Sequence, residues 1–192
     1  LRVVRHDRPR GPAAARNSGW RAAEASTVAF IDDDCVPTDG WLEALLATAD
    51  GPRVVVQGRV APMPGQPVHP LSHTIEVVGA NPMFISANIA YPRSLLERLA
   101  GFDERFTRPC GEDVELGARA IRAGAEVRFA PGAVVYHEVR ELDLAQQIRH
   151  TTKWIDAVGA LALHPELRSL LIAGVFWKPT HPWLIGGIAA LA

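Results

Sequence analysis

An apolar strand-like run, Thr27-Val28-Ala29-Phe30-Ile31, leads without a break into three aspartates, Asp32, Asp33 and Asp34. The run wants burial, while adjacent carboxylates repel, each raising the cost of ionising the next. A chain that keeps both features must end a core strand at an edge that solvent or a cation reaches. In open α/β sheets that edge lies beyond the carboxyl ends of the strands, where ligands bind. If the chain stays extended, Asp32 and Asp34 share a face, because side chains alternate with period two. Two such carboxylates suit a hard divalent cation, Mg²⁺ or Mn²⁺, which takes oxygen ligands and bridges to phosphates. The bland alternative is an Asx turn followed by a helix cap.

The flanking segments supply the alternation that such a sheet requires. Residues 11–26 read as a helix with Pro12 in its first turn, residues 27–31 as a parallel strand covered on both faces, residues 39–50 as a helix with Asp39 as N-cap, and residues 53–60 as a strand. Residues 61–86, rich in Pro and Gly with His69 and His73, form a long loop. A short strand at 88–91, helices closed by Gly101 and Gly124, and two strands, 126–130 and 133–137, split by the turn Pro131-Gly132, complete the pattern. This predicts an α/β protein with a mostly parallel sheet flanked by helices, over 1–141. Residues 142–192 form a second, helical region.

That region ends in two apolar stretches flanked by Trp177 and Trp183. They read either as C-terminal apolar helices with an interfacial aromatic belt, continuing into a membrane span, or as a buried helical hairpin. The first reading places the protein on the cytoplasmic face of the cell membrane; the second makes it cytoplasmic. The chain opens and closes inside patterns, as a fragment does.

Composition narrows the function classes. With 20 Lys+Arg against 21 Asp+Glu there is no global charge to attract nucleic acid. Cys35 and Cys110 lack a CxxC spacing, which argues against a structural zinc site.

Two further candidates lie downstream. Glu112 and Asp113 open a helix, where acidic residues cap favourably and where a general base can also be held. His137 ends a strand, as a structural residue or as a partner of carboxylates on Mn²⁺.

The ordered set "GPAAARNSGW", "VAFIDDDCVPTDGWL", "FISANIAYPRSLLERLAGFDERF" and "GEDVELGARAIRAGAEVRFAPGAVVYHE" resembles the family-2 glycosyltransferases of the A-type fold over residues 11–138. The resemblance implies an incomplete A-type fold and an inverting, non-processive transfer from a nucleotide-diphosphate sugar to an acceptor hydroxyl, with Mn²⁺ or Mg²⁺ as cofactor. It implies that Asp113 is the base with Glu112 in support, and that Asp34, Asp32 and His137 hold the metal. Arg16, Asn17, Asp32 and Asp33 would lie against the nucleotide, and Ser86, Ala87 and Asn88 near sugar and acceptor. The family's opening strand and helix precede the point where this sequence enters the pattern. Ala100 stands where Gly is common before "GFDE", and His150 where processive synthases have Trp. Two other readings stay open: another metal-dependent nucleotide enzyme, for which no glycine-rich phosphate loop is present, and a non-catalytic membrane-associated binding segment whose acidic residues are caps.

Overall fold

The computed structural model of the chain describes residues 2–151, 159–160 and 163–164. The apolar tail at 165–192 lies outside them. Among the described residues no helix is long and apolar enough to cross a membrane.

Helix α1, Pro12–Ala22, starts at Pro12 and buries Ala13, Ala14, Asn17 and Trp20, the stripe that a 3.6-residue period places on one face. It leads into β1, Thr27–Ile31, and a turn closed by the Cys35 N–H on the Asp32 carbonyl at 3.1 Å. The turn feeds β2, Cys35–Pro37, and then α2, Trp41–Thr48. The N-cap of α2 is Gly40 in the left-handed region, and Asp39 is exposed without capping the helix. Strand β3, Val54–Pro62, follows. A long segment containing the two-residue strand β4, Ser72–His73, then reaches β5, Asn88–Pro92. Helices α3, Arg93–Leu99, and α4, Glu112–Arg122, precede β6, Glu126–His137. The described chain closes with β7, Arg140–Glu141, and α5, Leu144–Thr151.

The main sheet has the order β1-β5-β3-β6-β2. Only β3 and β6 are parallel neighbours; β1–β5, β3–β5 and β2–β6 are antiparallel, so the mostly parallel sheet expected from sequence is a mixed one. The reason lies in the route of the chain. Parallel neighbours need a crossover that carries the chain back to the starting edge. After β1 the chain only turns, and after β3 residues 63–87 form no helix, so β2 and β5 each start at the edge where the previous strand ended and run back. Helices α2 and α4 make the return trips. Strands β1, β3 and β6 therefore share a direction, and their carboxyl ends meet at one edge.

Alternation along the central strands builds a core on each face. Val55, Ile89 and Tyr91 pack with Trp20, Phe30, Leu95, Leu96 and Leu116 under α1, α3 and α4. Val54, Val56 and Ala90 pack with Leu45 of α2 on the other face. Strand β1 departs from the expectation of two covered faces, since Ile31 is exposed and Ala29 half-buried.

Strand β6 is one strand where two were expected. Its register against β3 shifts between Gly58/Ala130 and Arg59/Val134, so the Pro131-Gly132-Ala133 step is absorbed as a bulge. Asn88 fills the gap. Its amide donates to the carbonyls of Arg59 at 2.9 Å and Ala133 at 2.8 Å, and its oxygen accepts from Trp41 Nε1 at 2.9 Å. Gly58 is required there, because a Cβ would overlap the Asn88 amide.

Candidate active site

The carboxyl edge gathers residues from across the chain. At the end of β1, the three aspartates occupy a turn and diverge, which relieves their mutual repulsion. Asp32 Oδ1 accepts from Arg16 at 2.8 Å; Asp33 is exposed; Asp34 faces His137 and Arg140. The extended geometry that would put Asp32 and Asp34 on one face is absent, and Asp32 sides with Arg16 rather than with the Asp34–His137 pair.

Arg16 joins the aspartate turn to the start of α4. One guanidinium nitrogen reaches Asp32, and the other reaches Glu112 Oε1 at 2.9 Å and Asp113 Oδ1 at 3.8 Å. Burial pulls the Arg16 pKa down, but the carboxylates of Asp113, Asp32 and Glu112 more than offset it and hold the net value above the ordinary one.

Asp113 is seated by the segment before β5. Both the N–H and the hydroxyl of Ser86 donate to its Oδ2, each at 3.0 Å. Gly117 makes this approach possible. Phe84, buried and at φ 50°, lays its ring where a Cβ on Gly117 would sit, and so brings residues 84–88 against the first turn of α4. Asp113 Oδ1 is buried and has no hydrogen-bond partner among the described residues. Burial pushes Asp113 up to about 7; Arg16 and the Ser86 N–H pull it down, and Glu112 and Asp32 add to the rise. Burial also raises Glu112, with Arg16 opposing. Buried acids with pKa near neutrality are the form that a general base takes.

The second cluster lies at the end of β6. His137 is 1% exposed, and its Nδ1 bonds the Glu138 carbonyl at 2.7 Å. That bond places the proton on Nδ1 and leaves the Nε2 lone pair 3.5 Å from Asp34 Oδ1. The arrangement fits a divalent cation, since ligating imidazoles use the other ring nitrogen on a carbonyl in this way. Cys35 completes the group, its ligand atom and those of Asp34 and His137 lying within 4.8 Å of one another. Burial, with Asp32 and Asp34 close by, pushes the Cys35 thiol up to about 12. Sequence reasoning did not mark Cys35 or Arg140. The signal was register: Cys35 lies opposite His137 in the β2–β6 pair.

Clefts open on both sides of the aspartate turn. One of about 510 Å³ is lined by Asp33, Asp34, Met63, Gln66, Glu138 and Arg140. The other, about 570 Å³, runs from Asp32 and Asp33 past Arg16 and Trp20 along the open edge of β1. Both lie in the size range of small-molecule sites.

Two expected contact residues are consumed by the fold. Asn17 donates to the Phe102 carbonyl at 2.8 Å and to Glu104 Oε1 at 2.9 Å, and accepts from Phe102 N–H and Trp20 Nε1, both at 2.9 Å. An amide offers two donors and two lone pairs, so Asn17 has none left for a nucleotide. Asn88 spends its amide on the β3–β6 bulge in the same way. Ala87 is fully buried, at 0% exposure, in a cluster with Val60, Val77 and Val135, and Ser86 is committed to Asp113.

A mixed sheet with helices on both faces, a carboxylate turn at one strand end and a buried acid beside it are features that the A-type glycosyltransferase fold combines. Residues 1–107 match glycosyl transferase family 2, and residues 75–157 match glycosyltransferase-like family 2. The chain belongs to glycosyl transferase family 2. It is 36% identical over 188 residues to the pre-mycofactocin glycosyltransferase of Mycobacterium tuberculosis, a match that takes in 90% of this chain and 39% of that protein. The chain thus spans about two fifths of that relative's length. Among solved structures it resembles GalNAc-T7 with UDP, GalNAc and Mn²⁺ (TM-score 0.61, 15% identity, 88% of this chain and 40% of that one). It also resembles the mannosyltransferase of Pyrobaculum calidifontis in complex with GDP-Man and Mn²⁺ (TM-score 0.55, 21% identity, 99% of this chain and 62% of that one).

Proposed function

We propose that the protein of which this chain is part transfers a sugar from a nucleotide-diphosphate donor to an acceptor hydroxyl, by a single displacement that inverts the anomeric carbon. One observation carries the reading. Arg16 holds the aspartate turn and the Glu112–Asp113 acid pair within one ion-pair network, although Arg16 and Glu112 are 96 positions apart. The same sheet edge carries His137. A scaffold whose acidic residues were mere caps would scatter them.

In this reading Asp113 Oδ1 accepts the proton of the acceptor hydroxyl as its oxygen bonds the anomeric carbon, and the bond from that carbon to the diphosphate breaks. Ser86 orients Asp113, and Arg16 ion-pairs with Glu112 and Asp32 beside it. A divalent cation, Mn²⁺ or Mg²⁺, held by Asp34 and His137 would neutralise the charge developing on the leaving nucleoside diphosphate. Asp33 and Arg140 line the cleft that would receive the diphosphate. Membrane association through the apolar tail, on the cytoplasmic face, belongs to the same proposal; detergent dependence of the full-length protein on fractionation tests it.

The activity is tested by offering the full-length protein a panel of nucleotide sugars with Mn²⁺ and measuring nucleoside diphosphate release. Release from one donor, abolished by Asp113→Asn, is expected. Absence of both release and binding for every donor overturns the proposal.

A further inference from the structure

The Asp34–His137 pair has a neighbour that sugar transfer does not require. Cys35 stands directly opposite His137 in the antiparallel β2–β6 register, and paired residues send their side chains to the same face of a sheet. The ligand atoms of Asp34, Cys35 and His137 fall within 4.8 Å of one another. The backbone holds them there. The Cys35 N–H is bound to the Asp32 carbonyl at 3.1 Å, and the Asp34 carbonyl accepts from the Glu138 N–H at 2.9 Å. Arg140 sits at 3.4 Å on the far oxygen of Asp34, Oδ2, leaving Oδ1 toward His137. His137, buried and with Nδ1 occupied by a carbonyl, has one lone pair to offer, and it is aimed into this group.

We propose that the Cys35 sulfur is a direct ligand of the cation site, which is therefore a mixed carboxylate, thiolate and imidazole site that takes Zn²⁺ or Co²⁺ in preference to Mn²⁺ or Mg²⁺. The proposal rests on the reading of Asp34 and His137 as cation ligands. Mg²⁺ and Mn²⁺ favour all-oxygen surroundings, whereas thiolate selects softer ions. As the sulfur–metal bond forms, the thiol proton leaves to solvent. Zn²⁺ already outranks Mn²⁺ at any nitrogen and oxygen site, so it is the sulfur-dependent part of the preference that distinguishes this arrangement. A cation held this way competes with the all-oxygen ion that a diphosphate donor brings, and Zn²⁺ would act as an inhibitor of transfer supported by Mn²⁺.

The test uses Co²⁺ on the full chain, followed by the sulfur-to-cobalt charge-transfer absorption in the near ultraviolet, with Mn²⁺ occupancy read by electron paramagnetic resonance. The chain has two cysteines, so Cys110→Ser leaves Cys35 as the sole thiol. The band is expected in the wild type and in Cys110→Ser and absent from Cys35→Ser. Zn²⁺ affinity should fall by at least about 10- to 100-fold in Cys35→Ser, the loss that even an outer-shell partner of a metal ligand causes, with Mn²⁺ affinity nearly unchanged. Persistence of the band in Cys110→Ser assigns it to Cys35 even if Cys35→Ser does not fold. If Co²⁺ displaces Mn²⁺ without a charge-transfer band, sulfur is not a ligand and the inference is overturned while the cation site stands. If neither ion binds, the cation site itself falls, and the inference with it.

Discussion

Ser86 donates both its N–H and its hydroxyl to one oxygen of Asp113, each at 3.0 Å, and leaves the other oxygen, buried on the Arg16 side, without a hydrogen-bond partner among the described residues. Asp113→Asn keeps the shape and removes the base. Turnover should fall by roughly 10² to 10⁴, the usual share of general-base catalysis, with donor affinity little changed. Ser86→Ala removes only one of the two orienting bonds and should cost about tenfold in kcat. Donor titration by calorimetry beside a transfer assay separates the two; near-normal turnover in Asp113→Asn would return Asp113 to helix capping.

The same carboxyl has a pH signature. Burial raises Asp113 from its ordinary 3.8 to about 7. A base must be ionised, so kcat/KM should rise with pH up to about 7 and level off above it. Stability runs the opposite way. A carboxyl whose folded pKa lies above its unfolded one contributes stability that is complete below the unfolded value and is lost as pH rises through the folded one. Asp113→Asn should therefore melt above the wild type at pH 8, and the gap should close by pH 4. Melts at both pH values check the sign, and equal midpoints at pH 8 would contradict it.

Arg16 is 15% exposed and faces three carboxylates. Removing the cation strands charge in a partly buried place, and breaking such a pair costs roughly 3 to 5 kcal/mol. Arg16→Met should show that loss in denaturant melts at pH 7.5 and recover much of it near pH 4.5, where Glu112 and Asp113, both raised by burial, take up protons. Arg16→Lys keeps the charge but not the fork that spans Asp32 and Glu112, and should fall between the two. A pH-independent loss would mean that packing, not charge, is what Arg16 supplies.

Several local signals in the sequence were read correctly, although Asp39 does not cap α2 and the Pro131-Gly132 step bulges β6 instead of splitting it. An apolar run ending in carboxylates does sit at a strand end, Glu112 and Asp113 do open a helix, and His137 does close a strand. Long-range choices were illegible. Strand direction depends on where residues 63–87 leave the chain, and that segment has no periodicity to read. Asn17 and Asn88 look like polar site residues, but their partners lie up to 87 and 47 positions away in long-range networks. Cys35 enters the cation cluster only through the register of a three-residue strand, too short to leave a pattern.

Asn88 offers a direct test of that distinction. Asn88→Ala strands the Arg59 and Ala133 carbonyls and the Trp41 N–H at the bulge. Each buried group left unpaired costs about 1 to 3 kcal/mol, so thermal stability should drop sharply. Assayed well below the midpoint, the donor KM should change less than about threefold, because Asn88 binds the fold and not the sugar. A large rise in KM with an unchanged midpoint would make Asn88 a substrate contact after all.

Ala100 closes α3 in the left-handed region, at φ 59° and ψ 19°, where its N–H bonds the Glu97 carbonyl at 3.1 Å and the Gly101 N–H bonds the Leu96 carbonyl at 2.9 Å. Those two bonds are the Schellman arrangement, in which the left-handed position favours glycine. An alanine there bears a steric cost of roughly 1 to 2 kcal/mol, and glycine would remove it. Against this stands the greater chain entropy that glycine gives the unfolded state, roughly 0.5 to 1 kcal/mol. The steric term is the larger, so Ala100→Gly should stabilise by about 0.5 to 1 kcal/mol, a rise of about 2 °C for a chain of this size. Differential scanning calorimetry decides it, and a lower midpoint for Ala100→Gly would show that the strain is relieved by something other than the missing Cβ.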